Sequence, residues 1–191
     1  NAKYESRLNL KIPGRPNIRN AMLALGAALE VGVLPDVAIG SLNDFSGAER
    51  RFEFKGKNKN GALIFDDYAH HPTEIEATIS AAKERYPNLK LAIIFQPHLY
   101  SRTKEHLERF ADKLKAADVV IMLPIYAARE RFDPSVNSGD IATRINDLGG
   151  DAEAVSMDEA VARAENFGPD WLIVTMGAGD VYKVGDRIRS L

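Results

Sequence analysis

Five short runs rich in apolar and β-branched residues recur along the chain, at Ala62–Phe65, Leu91–Phe95, Val119–Leu123, Ala152–Val155 and Trp171–Thr175, and a stretch of helical periodicity follows each. That alternation constrains the fold more than any other feature. A strand, a helix and a second strand of the same sheet require a crossover, which sets the strands parallel and lays the helices on the faces. The sequence therefore predicts an α/β domain with a mostly parallel sheet and helices on both faces. Ile75, Ile79, Ala82 and Tyr86 mark the inward stripe of the first helix, and Leu107, Phe110, Ala111 and Leu114 that of the second. Thr73-x-x-Glu76 and Ser156-x-x-Glu159 have the form of capping boxes and predict where the first and fourth helices begin.

The preceding stretch has a different texture. Arg7–Ile12 alternates, Pro13-Gly14 predicts a turn, and helical patterns run from Ile18 to Val31 and from Pro35 to Phe45. This part is too short and too poor in strands to close a core of its own. The expected organisation is residues 1–48 as the tail of a preceding domain and 49–191 as the α/β domain. The opening Asn1-Ala2 reads as the scar of a cleaved tag on an excised piece.

Composition removes several classes of function. A net charge of −2 gives no field for gripping nucleic acid or an acidic membrane. The absence of cysteine excludes disulfides, thiolate metal sites and a cysteine nucleophile, and suits a cytoplasmic protein. No apolar run approaches the roughly 20 residues that span a bilayer.

Ligands of open α/β sheets bind beyond the carboxyl ends of the strands, and the polar clusters fall there. Asp66, Asp67, Tyr68, His70 and His71 follow the first run; Gln96, His98, Tyr100, Ser101 and Arg102 the second; Tyr126, Arg129 and Glu130 the third; Met176 to Asp180, MGAGD, the fifth. Each cluster alone has a plain alternative. The two acids can cap a helix, the histidines can be turn residues, and MGAGD, which lacks GxGxxG, can be a simple strand-to-helix turn. Asp67, His70 and His98 also have the chemistry of zinc ligands, but without a helical HExxH spacing, so no metal site is assigned. Arg102 opposes the dipole of the helix it begins, and an arginine so placed answers to a ligand anion. Together the clusters point to a site that handles anionic groups.

In order along the chain, PGRPNIRNAMLALGAALEVGV, RRFEFKG, DDYAHHPTEI, FQPHLYSRT, YAARE and MGAGD resemble the C-terminal part of a Mur ligase of peptidoglycan synthesis, of the alanine-adding kind. The resemblance covers nearly the whole chain. It implies a Rossmann-like C-terminal domain preceded by a helical remnant of the central ATP-binding domain. It implies a cytoplasmic enzyme in which ATP phosphorylates the carboxylate of UDP-N-acetylmuramate, and the amine of L-alanine then attacks the acyl phosphate. No GxxxxGK[ST] is present, so the phosphate cradle and the Mg2+ site would lie in the central domain. That domain and the N-terminal one would be this part's partners, and the fragment alone would be inactive.

Carried over residue by residue, the resemblance implies that Asn17 and Asn20 touch adenine, Arg51 the phosphate or ribose region, Asp67 the ribose hydroxyls, and that His70 lies near the phosphates. It implies that His98 and Arg102 hold the alanine, with His98 a candidate base. Tyr126 and Arg129 join the substrate side. Two positions depart from the family pattern. Pro16 stands where histidine is frequent, and Leu99 where arginine is, which removes one of two carboxylate donors. A sister enzyme that recycles a tripeptide onto the same sugar, and a non-catalytic nucleotide- or peptide-binding module, are the alternatives.

Overall fold

A computed structural model describes residues 7–12 and 14–189 of the chain. Asn1, Ala2 and Pro13, with the turn expected at Pro13, lie outside the described residues, as does the Pro16 side chain. Two compact units emerge, Asn1–Ala48 and Glu49–Leu191. The first is a helical pair, α1 (Arg15–Glu30) and α2 (Pro35–Asp44). Each helix carries a proline at its first or second position, where the missing N–H costs nothing. The alternating segment before them forms no strand; the Asn9 amide instead donates to Asn43 Oδ1 at 2.7 Å.

The second unit carries β1 (Glu53–Lys57), β2 (Leu63–Asp67), α3 (Pro72–Arg85), β3 (Lys90–Phe95), α4 (Tyr100–Leu114), β4 (Val119–Met122), α5 (Ser138–Asp147), β5 (Ala152–Ala154), α6 (Met157–Ala164), β6 (Trp171–Met176) and α7 (Tyr182–Ile188). One six-stranded sheet runs in the order β1-β2-β6-β3-β4-β5, parallel throughout except for β1, which pairs antiparallel with β2. Side-chain alternation sorts the core into two layers. Leu91, Ile93 and Phe95 pack with Ile75, Phe110 and Ile141 of α3, α4 and α5 on one face. Ala92 and Ile94 pack with Ala160 and Val184 of α6 and α7 on the other. The α/β sheet with helices on both faces is the expected fold.

Two sequence readings are corrected. All five expected strands form, but β1 is a sixth that periodicity did not give. It is an edge strand whose lysines and glycine blur the pattern, and its register shifts at a bulge between Phe54 and Gly56, where Gly56 has φ 123°. Helix α3 is capped two residues earlier than expected, by His71 in place of Thr73. His71 Nδ1 accepts from the Thr73 amide while Glu74, not Glu76, accepts from the amides of His70 and His71. Helix α6 begins on Ser156 with Glu159 as its reciprocal cap, as the sequence predicts. Among the described residues no helix is long and apolar enough to cross a membrane.

Candidate active site

The two acids that end β2 do different work. Asp66 is 1% exposed and holds Arg50, whose Nε lies 2.7 Å from Oδ2; its other oxygen accepts from the Thr175 hydroxyl at 2.6 Å. Arg50 then donates through Nη2 to the Gly177 carbonyl and through Nη1 to that of Gly179, and its guanidinium lies 5.0 Å from the ring centres of both Tyr68 and Tyr182. Asp67 is 6% exposed, and its carboxylate accepts from the amides of Phe52 and Ala69 at 2.9 and 2.8 Å. Arg50 and Phe52 both have positive φ, 57° and 49°, a conformation disfavoured for residues with side chains. The Asp66–Asp67 pair thus clamps a strained turn, and the exposed residue that turn presents is Arg51, whose guanidinium lies 5.9 Å from the Tyr68 ring.

Burial pushes the Asp67 carboxyl up to about 6, against the lowering pull of the Ala69 and Phe52 amides, Thr78 and Arg51. Because the folded value lies above the ordinary 3.8, the folded chain binds the proton more tightly than the unfolded one. The stabilisation from this group is fully present below about pH 4, is lost as pH rises through about 6, and amounts to about 3 kcal/mol. The carboxyl carbon resonance of Asp67 should titrate with a midpoint near pH 6; a midpoint in the ordinary aspartate range would show the group to be solvated.

At the end of β3 the backbone is held by the third loop. His98 bridges to Tyr126, with the Tyr126 amide donating to the Pro97 carbonyl at 2.8 Å and the Leu99 amide to that of Tyr126 at 2.9 Å. The His98 and Tyr126 rings stack at 5.7 Å between centres, and the His70 ring lies 6.1 Å from that of His98. His70 Nδ1 is 2.9 Å from the Tyr68 carbonyl, which makes that nitrogen a donor. Leu99 sits at φ 71° as the first residue of the α4 turn, and Arg102 follows within that turn.

Two buried polar side-chain atoms of the described residues have no hydrogen-bond partner, and they are His98 Nδ1 and Arg102 Nη1. Most buried donors and acceptors in folded chains are satisfied, so these two atoms stand out. Burial, reinforced by the charges of Arg102 and His70, lowers the His98 pKa and keeps the imidazole neutral at pH 7.

The glycines of MGAGD serve packing. A Cβ on Gly177 would lie 2.7 Å from the Gln96 carbonyl, and one on Gly179 would lie 2.3 Å from Gln96 Oε1 and 2.7 Å from Tyr126 Cγ. Gln96 fills the turn, donating to Asp180 Oδ1 and accepting from the Val181 amide. No three histidine or acidic side chains converge as metal ligands among the described residues. Asp67 and His70 have the hydrogen-bond partners given above, and His98 Nδ1 has none. Arg129 is exposed on the third loop. Asn17 and Asn20 lie three residues apart on α1 of the first unit, where Asn17 is half-buried and Asn20 exposed. Sequence reasoning did not single out Arg50 and placed Gln96 in a polar cluster without assigning it a role. The doubled arginine beside the doubled aspartate was the available signal for the first.

The mostly parallel sheet gathers these side chains at the carboxyl ends of β2, β3, β4 and β6, and residues 50–179 match the family model "Mur ligase, glutamate ligase domain"; the chain belongs to the Mur ligases. It is 43% identical over 183 residues to a UDP-N-acetylmuramate–L-alanine ligase of Agathobacter rectalis, covering 95% of this chain and 39% of that protein. The crystal structure of UDP-N-acetylmuramate–alanine ligase from Thermotoga maritima matches with a TM-score of 0.82 at 28% identity, over 98% of this chain and 40% of that one. A murein peptide ligase from Psychrobacter arcticus matches with a TM-score of 0.64 at 26% identity, over 95% and 38%. The chain thus spans about two fifths of the length of the relatives it matches.

Proposed function

We propose that this chain is the amino-acid-receiving part of an ATP-dependent ligase that joins L-alanine to UDP-N-acetylmuramate in peptidoglycan synthesis. The observation that carries the proposal is the pair of unmet buried groups, His98 Nδ1 and Arg102 Nη1. A guanidinium with a free donor suits a carboxylate, and a neutral imidazole beside it suits the amine of the same molecule. His98 is then the group that takes the proton as the amine attacks, and Tyr126, stacked on it, fixes its plane. ATP, when bound, supplies the phosphoryl group that makes the muramate carboxylate an electrophile. On the nucleotide side stand Asn17, Asn20, Arg51, Asp67 and His70. Arg51 and His70 bring polar side chains to the phosphates, and Asp67 acts chiefly by fixing the turn that carries Arg51. No cluster of the described residues fits magnesium. The phosphate cradle and metal site belong, in this proposal, to the part of the relatives that this chain does not span, as residues 1–48 belong to the tail of that ATP-binding domain.

The test is amide formation by the full-length protein, followed as release of phosphate. L-alanine with UDP-N-acetylmuramate and ATP should give turnover, the tripeptide should give little, and residues 1–191 alone should give none. Turnover with the tripeptide in preference to alanine would assign the recycling reaction. Turnover by the fragment would overturn the division of labour proposed here.

A further inference from the structure

Helix α4 begins without a cap of its own. Its N-cap residue is Leu99, which offers no side-chain acceptor, and its first turn holds no acidic residue. Arg102 stands there instead, against the positive end of the helix dipole. The missing acceptor comes from 29 residues downstream, where Glu130 accepts from the Ser101 amide at 3.1 Å and from the Ser101 hydroxyl at 2.5 Å. The same loop is pinned at its other end by the two backbone bonds between Tyr126 and the Pro97–Leu99 segment. Between the pins the chain turns tightly, with the Glu130 amide donating to the Ala127 carbonyl at 2.9 Å and Ala128 held at φ 50°. A non-glycine residue keeps such a conformation only where its surroundings over-determine it.

We infer that Glu130 is a positioning residue of the amino-acid site: it fastens the 126–130 loop to the start of α4, so that Tyr126 stays against His98 while Arg102 stays in the turn beside them. Its carboxylate touches Ser101 and not the reacting groups. It supplies the anion that the helix start lacks and offsets the positive charge of Arg102 and Arg129 around His98. The loop and the helix are far apart in sequence, and this carboxylate fastens the Glu130 end of the loop to the helix start as the two backbone bonds fasten the Tyr126 end. The kinetic part of the inference rests on the proposed ligase reaction; the structural part does not.

The experiment has two arms. In the 191-residue chain, Glu130→Ala should speed hydrogen exchange of the Ser101 amide by roughly tenfold or more and weaken the ring-to-ring nuclear Overhauser effect between Tyr126 and His98. Glu130→Gln, which keeps an acceptor, should recover most of both. In the full-length protein, Glu130→Ala should raise KM for L-alanine by roughly tenfold and leave KM for ATP unchanged, with Glu130→Gln again intermediate. An unaltered Tyr126–His98 contact in Glu130→Ala overturns the inference. A lower KM for L-alanine also overturns it, since Glu130 would then compete for the substrate's place at the helix start. Absence of alanine turnover in the wild-type protein refutes the ligase reading instead, and the exchange and Overhauser measurements still decide the role of Glu130.

Discussion

Arg102→Ala in the full-length protein should raise KM for L-alanine by roughly ten- to a hundredfold while KM for ATP stays nearly unchanged. The Arg102 Nη1 is buried without a protein partner, and in the proposed reaction it meets the carboxylate of L-alanine. Leu99 stands where a second cation could have been, and nothing in the aliphatic side chain replaces it. A lost hydrogen bond to a charged group costs about 1.5–3 kcal/mol, which sets the size of the effect. Arg102→Lys should recover only part of it, because an ammonium is a point charge and cannot offer the parallel donors of a guanidinium. Steady-state kinetics with each substrate varied in turn decides the matter. An unchanged alanine dependence would make Arg102 a surface cation at a helix start and move the amino-acid site towards Tyr126 and Arg129.

The second large effect concerns stability and separates two adjacent arginines. Arg50→Ala should destabilise the fold by about 3–5 kcal/mol, the usual consequence of removing one partner from a buried ion pair. Asp66 would be left 1% exposed with only the Thr175 hydroxyl as partner, and the Gly177 and Gly179 carbonyls would lose their donor. Arg51→Ala, one residue along, removes an exposed side chain and should change stability by no more than about 0.5 kcal/mol. Asp66→Asn in the Arg50→Ala background should recover part of the loss, because the stranded charge is gone. Urea unfolding with an unchanged m-value is the measurement, and equal effects at the two arginines would refute the clamp.

The contrast shows where sequence reasoning stops. Arg50 and Arg51 are chemically identical and adjacent, and the resemblance selects Arg51 for the nucleotide. Only the contacts of Asp66, 16 residues away, assign Arg50 to the fold. Strands β2, β3, β4 and β6 were legible because parallel strands buried on both faces read as largely apolar runs. The helix stripes were legible because Ile75, Ile79, Phe110 and Leu114 recur at helical spacing and are buried. Strand β1 was hidden because an edge strand needs its charges. The cap of α3 was misplaced because an imidazole acting as the acceptor is less usual than a threonine hydroxyl, and the choice depends on a tautomer that sequence does not carry. The acids of DDYAHHPTEI looked like ligand groups since they end a strand; their burial follows from a turn 15 residues upstream, and such non-local pairing leaves no local pattern.

The order of the strands has a consequence for how this chain acquires its chemistry. Strand β6 is the last to be made, yet it lies between β2 and β3, with Thr175 beside both Asp66 and Ile94. Until residues 171–176 have been synthesised, the segments bearing Asp67 and His98 have no common neighbour in the sheet. The two halves of the site are therefore joined only when β6 inserts between β2 and β3, a step that also brings the carbonyls of Gly177 and Gly179 to Arg50. A nascent chain stalled before that point carries Asp67 and His98 but lacks the strand that lies between them.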